Sequence, residues 1–282
     1  MTKAKSISLW IISIIIMIFV VIYQKTTGPT YPVKGEINME GIEVDYSLPT
    51  SNDGEYTKLV YLIDERKSLS GIYKIRRFKS HDEWSNHEML RSEDTLYFEI
   101  PHQPAAGKVE YHVFLKKGDK PAVALTENPI ILRFRDAVPF SIVVLHIIFI
   151  FATITLSTRT GFEALYNGNK VKIFTILSLT ALILGGFVFG PLMQKFAFGE
   201  YWTGWPMKGI FSIGDLTDSK TFIALLFWLI AFWTAIKKPE KKLWTVIASI
   251  VLIIVFLIPH SLLGSELDYT KIEKNKIEQV NK

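Results

Sequence analysis

Five apolar stretches, roughly 8–23, 138–157, 171–190, 221–236 and 243–262, divide the 282-residue chain. Each approaches the ~20 residues that carry a helix across a ~30 Å hydrocarbon layer. In lipid every backbone polar group must be satisfied within the segment, so these stretches are predicted as helices. The shortest, 221–236, lies between Lys220 and the Lys237-Lys238 pair, whose ammonium groups can extend to the two interfaces.

The placement of lysine and arginine sets the expected orientation. With the N-terminus inside, the inner segments hold Lys3 and Lys5, then Arg159, Lys170 and Lys172, then Lys237, Lys238, Lys241 and Lys242, against the acids Glu163 and Glu240 alone. Short basic loops are retained on the cytoplasmic side. The pattern predicts five crossings, N-terminus inside and C-terminus outside, with the bilayer as the first partner. Two lysines before an apolar run are also how a cleavable signal peptide begins. The continuation Tyr23-Gln24-Lys25-Thr26-Thr27-Gly28-Pro29 has no small-x-small cleavage site, so residues 1–29 are expected as an uncleaved signal anchor. The chain has no cysteine, which excludes a lipoprotein anchor, disulfides and thiolate metal sites.

Residues 30–136 change character. Ile42, Val44, Tyr46 and Leu48 alternate with polar residues, as do Leu96, Phe98 and Ile100, then Val109, Tyr111, Val113 and Leu115, and finally Ile130, Leu132 and Phe134. A period of two is the mark of strands with one buried face. Ser51-Asn52-Asp53-Gly54, Pro104-Ala105-Ala106-Gly107 and Lys117-Gly118-Asp119 mark turns. With further strands near 33–38, 57–64 and 71–79, the segment has the spacing of a β-sandwich. The expected fold class is therefore mixed: an extracytoplasmic β-sandwich plus an α-helical membrane bundle, 137–264, five transmembrane helices in total. The strand segment resembles a fibronectin type III or immunoglobulin-like module, with Gly107-Lys108-Val109-Glu110-Tyr111-His112-Val113 as a late strand and Tyr111 inward. That resemblance implies a recognition or scaffold role.

Charge adds little direction. Residues 24–137 carry sixteen basic and eighteen acidic side chains, and the one basic run is Lys74, Arg76, Arg77 and Lys79. A nearly neutral exported domain argues against a nucleic-acid partner. His81 and His87 stand among Asp82, Glu83 and Glu88, but their spacing matches no standard ligand pattern.

His146 and His260 are the candidate cofactor ligands. His146 falls ~12 Å into the second span at 1.5 Å per residue, where an unpaired ring is costly. It requires a partner, either Thr175, Ser178 or Thr180 of the third span, or a cofactor such as haem b. His260 follows Pro259 at the outer end of the fifth span, at a different depth unless the proline kinks the helix.

The outer loop 191–219 interleaves aromatic residues and glycines. It offers Glu200, Tyr201, Trp202 and Trp205 as a binding surface, or as an interfacial segment at head-group level. His260, Asp215, Glu266 and Asp268 are expected to converge beneath it as a site for a cation, a quinone head group or a peptide. Pro191 is expected to end the third span, and Gly186 and Gly190 to allow close helix approach. With the spans bounded as above, no acid or arginine lies inside one, which argues against a proton pump or charge-coupled transporter. Residues 265–282 are expected as a polar outer tail, whose Lys271–Lys282 part is frayed helix or disorder outside the membrane.

Phe198-Gly199-Glu200-Tyr201-Trp202-Thr203-Gly204-Trp205-Pro206, Gly214-Asp215-Leu216-Thr217-Asp218, Pro259-His260-Ser261 and Gly264-Ser265-Glu266-Leu267-Asp268-Tyr269 resemble an uncharacterised family of bacterial inner-membrane proteins. The resemblance implies a multi-pass location in the cytoplasmic membrane and an envelope or membrane protein partner. It implies no established activity. The two expected classes of function are a non-enzymatic, membrane-anchored interaction or assembly protein, and a haem- or metal-binding redox protein using His146 and His260.

Overall fold

A computed structural model describes residues 2–54, 57–202, 204, 216–259 and 266–280. The chain divides into two compact units, Met1–Pro29 with Val138–Ser265, and Thr30–Ala137 with Glu266–Lys282.

The first unit is helical and makes this a multi-pass membrane protein. Four helices are long and apolar enough to cross a bilayer: α1 (Lys3–Thr27), α2 (Phe140–Leu165), the continuous run Val171–Phe198, and α5 (Leu216–Lys237). The fifth, α6 (Leu243–Leu257), has 15 residues, about 22 Å at 1.5 Å per residue. The expectation of five full crossings is therefore corrected to four long helices and a shorter one. Pro259 disallows continuation, and the exposed carbonyls at the end of α6 are taken up by side chains. Gln24 of α1 donates to the carbonyl oxygens of Phe256 and Ile258, and the buried Lys220 of α5 also donates to Ile258.

Pro191 does not end the third span. Residues Val171–Leu182 form α3, Ile183–Phe189 are π-helical, and Gly190–Phe198 form α4. The Gly190 amide bonds five residues back to Gly185, and this wider turn receives a proline with less crowding than an α-turn would. The helix stops at Gly199, whose φ of 79° is the left-handed cap that glycine adopts freely. Gly185 is where the segment touches α2, since a side chain there would meet the backbone of Phe149 and Ile150 at 3.2 Å. Gly186 faces Thr221 of α5, whose side-chain methyl a side chain there would meet at 2.7 Å. The bundle core is Val20, Ile154, Leu182, Trp228, Leu252 and their neighbours, drawn from α1, α2, α3, α5 and α6.

The second unit is built of strands: β1 (Val33–Asn38), β2 (Glu43–Leu48), β3 (Ser51–Asn52), β4 (Lys58–Ile63), β5 (Leu69–Arg77), β6 (Ser85–Glu88), β7 (Leu90–Ser92), β8 (Thr95–Ile100), β9 (Lys108–Lys117), β10 (Val123–Ala124) and β11 (Ile130–Phe134). Hydrogen bonding arranges them as three sheets, β1-β2, β4-β8-β7, and β3-β11-β9-β5-β6 with β10 on β9. This departs from the closed sandwich expected, because β2 lies beside β4 without a backbone ladder among the described residues. The inward rows fill one apolar core containing Val44, Leu48, Val60, Leu62, Phe98, Tyr111, Leu115 and Phe134. The Tyr111 hydroxyl donates to the carbonyl oxygen of Pro49 at 2.7 Å, and burial pushes its phenol far above the usual range.

The C-terminal tail is a helix, α7 (Tyr269–Val280), held to the strands. Tyr269 is buried, its hydroxyl bonded to Gln103 and resting on Gly107, where a side chain would collide with it. The amide of Thr270 donates to the Lys79 carbonyl and that of Leu267 to the Ala106 carbonyl. A mostly polar segment of twelve residues rarely holds a helix alone, so docking sustains it.

Glu266 bonds both Lys79 and Lys108. Burial pushes its carboxyl up, but the two ammonium groups outweigh this and hold it below the usual value. At Lys108 burial wins and lowers the ammonium, so the pair stabilises less than the carboxylate alone suggests. A depressed carboxyl contributes stability that is present above its unfolded value of 4.5 and lost as pH falls through the lower folded value. Hydrogen exchange of 269–280 should accordingly stay protected at pH 6 and open first on acidification below about pH 4.5. Uniform opening of the whole strand unit over that range would show that Glu266 does not govern the docking.

Candidate functional site

The membrane unit carries a buried charge cluster that the sequence reading placed outside the spans. Helix α2 continues through Ser157-Thr158-Arg159-Thr160-Gly161-Phe162-Glu163 to Leu165. Arg159 and Glu163, one turn apart, pair at 2.8 Å with side-chain exposures of 0% and 2%. The helix of the second candidate span therefore includes an arginine and an acid, where none was expected inside a span. A lone buried charge would be prohibitive, but an i,i+4 pair neutralises itself on one helix face.

The surroundings fix both groups. Arg159 lies near the rings of Trp10 of α1 and Phe174 of α3, at 5.5 and 5.0 Å, and donates to Ser6 at 3.3 Å. Glu163 accepts the Lys170 amide at 3.0 Å, and the Gly168 amide bonds the Glu163 carbonyl. Gly168 lies against the carboxylate, leaving no space for a side chain. Asn167 takes a φ of 52° to make this turn, and Lys242 before α6 donates to the Gly168 carbonyl. Around the pair are buried hydroxyls. Thr160 and Ser178 bond each other at 3.0 Å, and Ser249 donates to the Ser157 carbonyl at a contact where Gly161 admits no side chain. The cluster thus joins α1, α2, α3 and α6 and the turn after α2. Its chemistry is that of a fixed polar lock, with both charges shielded.

His146 finds its partner in the backbone. Its Nδ1 is 3.0 Å from the Gly185 carbonyl oxygen, in the π-helical segment, and not beside Thr175, Ser178 or Thr180. Asp218 accepts the amide of Gly204, and the Trp202 ring stacks on Phe187 at 5.4 Å. Tyr201 and Glu200 are exposed, Tyr201 with Lys195 over its ring. His260, Asp215 and Trp205 lie outside the described residues. Glu266 is engaged by Lys79 and Lys108, while Asp268 accepts Thr270 and the Lys271 amide at the start of α7. Among the described residues, no group of three or more His, Asp or Glu is placed to hold a metal ion.

In the strand unit three of the four residues of the basic run, Arg76, Arg77 and Lys79, are held in ion pairs, and Lys74 lies over the Phe114 ring. Arg76 meets Glu110, and Arg77 meets Asp82 and Glu273. His112 bonds the Thr126 carbonyl and His87 stacks on Tyr73. One open face of the strands is apolar: Leu59, Tyr61 and Ile63 of β4 are 47%, 61% and 61% exposed. Leu90 and Tyr97 continue that face across the sheet, opposite one another, with Tyr97 also opposite Tyr61. A groove of about 520 Å³ runs beside it, between β4 and the β1-β2 hairpin.

The unbroken apolar run of residues 59–63 carried this signal, since Leu59, Tyr61 and Ile63 are as apolar as the inward Val60 and Leu62. The signal for the Arg159 cluster was the four-residue spacing of arginine and glutamate without a helix-stopping residue between them.

No family model matches the chain, and no curated protein matches it in sequence. A solved structure of Astrotactin-2, described as a conserved vertebrate-specific and perforin-like membrane protein involved in neuronal development, aligns with 83% of this chain at 9% identity and a TM-score of 0.22. This chain spans 37% of that one, and a similarity of that size carries no inference about fold or function.

Proposed function

We propose that this is a membrane-anchored interaction or assembly protein of the bacterial cell envelope, with its strand unit outside the cytoplasmic membrane as the recognition module. The observation that carries the reading is the outward apolar row of Leu59, Tyr61 and Ile63, extended by Leu90. The outer face of an antiparallel sheet in water is ordinarily polar, and a contiguous exposed apolar patch marks a contact surface.

Strand order supports an immunoglobulin-like or fibronectin type III module. The neighbour order β2, β4, β8, β7 corresponds to A-B-E-D of that fold, and β5, β9, β11 to C-F-G. On this reading the β1-β2 hairpin and the β4-β8-β7 sheet form one layer, and the larger sheet forms the other. Orientation is supported by the inner lysines. With Arg159 and Glu163 paired and buried, Lys3, Lys5, Lys170, Lys172, Lys237, Lys238, Lys241 and Lys242 face Glu240 alone on the proposed inner side.

A photo-crosslinking amino acid at Tyr61 tests the module in intact cells. Discrete adducts are expected at position 61 and none at Ser70, an exposed site on β5. Their loss on Ile63→Lys, a surface change that should alter stability by no more than ~0.5 kcal/mol, would tie them to this face. Absence of adducts at 61, or the same adducts from position 70, would remove the reading.

A further inference from the structure

β1 is an open edge of the strand unit. It pairs with β2 on one side, its burial pattern is largely exposed, and among the described residues no strand covers the other side. An edge of six unpaired residues is a template for another strand unless it is blocked. The sequence of this edge, Val33-Lys34-Gly35-Glu36-Ile37-Asn38, is complementary to itself. We infer that two copies of the chain pair antiparallel through β1 about a two-fold axis at Gly35.

In that register Lys34 of each copy lies opposite Glu36 of the other, Val33 lies opposite Ile37, and the two glycines meet at the centre. Two cross-strand ion pairs form on one face, and two apolar pairs form on the face where Ile37 already packs against the core. Moving the register by two residues in either direction sets Lys34 against Lys34 or Glu36 against Glu36. Moving it by one turns a charged residue onto the apolar face. The symmetric contact is self-complementary, as an isologous dimer requires.

The single chain supplies an independent reason for a cation at this edge. Within the hairpin Glu36 lies directly opposite Asp45, and like charges placed so are destabilising. The partner's Lys34 would arrive on the open side of Glu36 and offset that repulsion. In the isolated chain the described contact of the Lys34 ammonium is the Tyr31 ring at 5.6 Å. Tyr46, opposite Gly35, lies over it so that a side chain at Gly35 would collide with the phenol. An aromatic ring covering a strand glycine restores packing that the glycine lacks, which leaves the centre of the edge flat enough for a second strand.

The test is a charge swap on the full chain in detergent, read by sedimentation equilibrium. The unaltered protein is expected at twice its 32.2 kDa chain mass. Lys34→Glu and Glu36→Lys should each weaken the dimer by about tenfold, and the double reversal should return it to within about threefold. Glu36→Lys also places a lysine opposite Asp45, so its thermal stability should hold or rise while the dimer weakens, which separates loss of the contact from loss of the fold. A monomer at all concentrations, a dimer indifferent to either single reversal, or a double reversal as weak as the singles would overturn the proposal. None of these outcomes bears on adducts formed from Tyr61, which lies on a different strand.

Discussion

Arg159→Ala is expected to lower the stability of the full chain by about 3–5 kcal/mol, because it leaves the Glu163 carboxylate buried without its cation. The guanidinium is shielded from solvent, paired at 2.8 Å and packed near Trp10 and Phe174, so nothing nearby can replace it. The loss should reach beyond one helix, since the same cluster orders the 166–170 turn through Gly168 and Lys170. Thermal unfolding in detergent should show a fall of roughly 10 °C, at a few degrees per kcal/mol for a chain of this size. Replacing both partners, Arg159→Met with Glu163→Leu, should recover most of that loss, because an apolar pair of similar volume removes the desolvation cost along with the attraction. A single variant that melts within about 2 °C of the unaltered protein would show that the pair is not holding these ends of the helices together.

The strand unit was legible in the sequence because burial there follows a local rule. Alternation places Val109, Tyr111, Val113 and Leu115 on one side of β9 whatever the partners are. Sheet partition was not legible, since whether β2 hydrogen-bonds to β4 depends on how residues distant in sequence meet. Arg159 and Glu163 were misread for a related reason. Hydropathy treats each charge as a boundary, whereas two charges one turn apart cancel on the helix face and let α2 continue for eight residues beyond the expected end. Pro191 was misread as a stop because the π-helical turn that accommodates it is set by Gly185 against α2, a tertiary contact. The tail was legible as frayed helix or disorder, but not as a docked helix. Its helix is sustained by Tyr269 over Gly107 and by Glu266 and Glu273 on lysines and an arginine of the strands, and no property of 269–280 alone encodes those partners. Of the expected site residues, His146 was correctly assigned a need for a partner, but a backbone carbonyl supplied it.

Accessibility from the two sides of the membrane carries the second large effect, since labelling of a given position is close to all or none. The chain has no cysteine, so single cysteines report without interference. Ser70 is exposed on β5 of the strand unit, and Asn169 is exposed in the turn after α2, two residues beyond the left-handed Asn167. Both are surface positions, where substitution should change stability by no more than ~0.5 kcal/mol. The basic residues beside Asn169, Lys170 and Lys172, are among those that assign this turn to the inside, while the strand unit enters and leaves through the opposite ends of α1 and α2. With a membrane-impermeant thiol reagent on intact spheroplasts, a cysteine at position 70 is expected to be labelled fully and one at position 169 only after lysis. Labelling of position 169 from outside, or protection of position 70 until lysis, would contradict the assignment of the strand unit to the outer side and with it the account of this protein as an envelope interaction module.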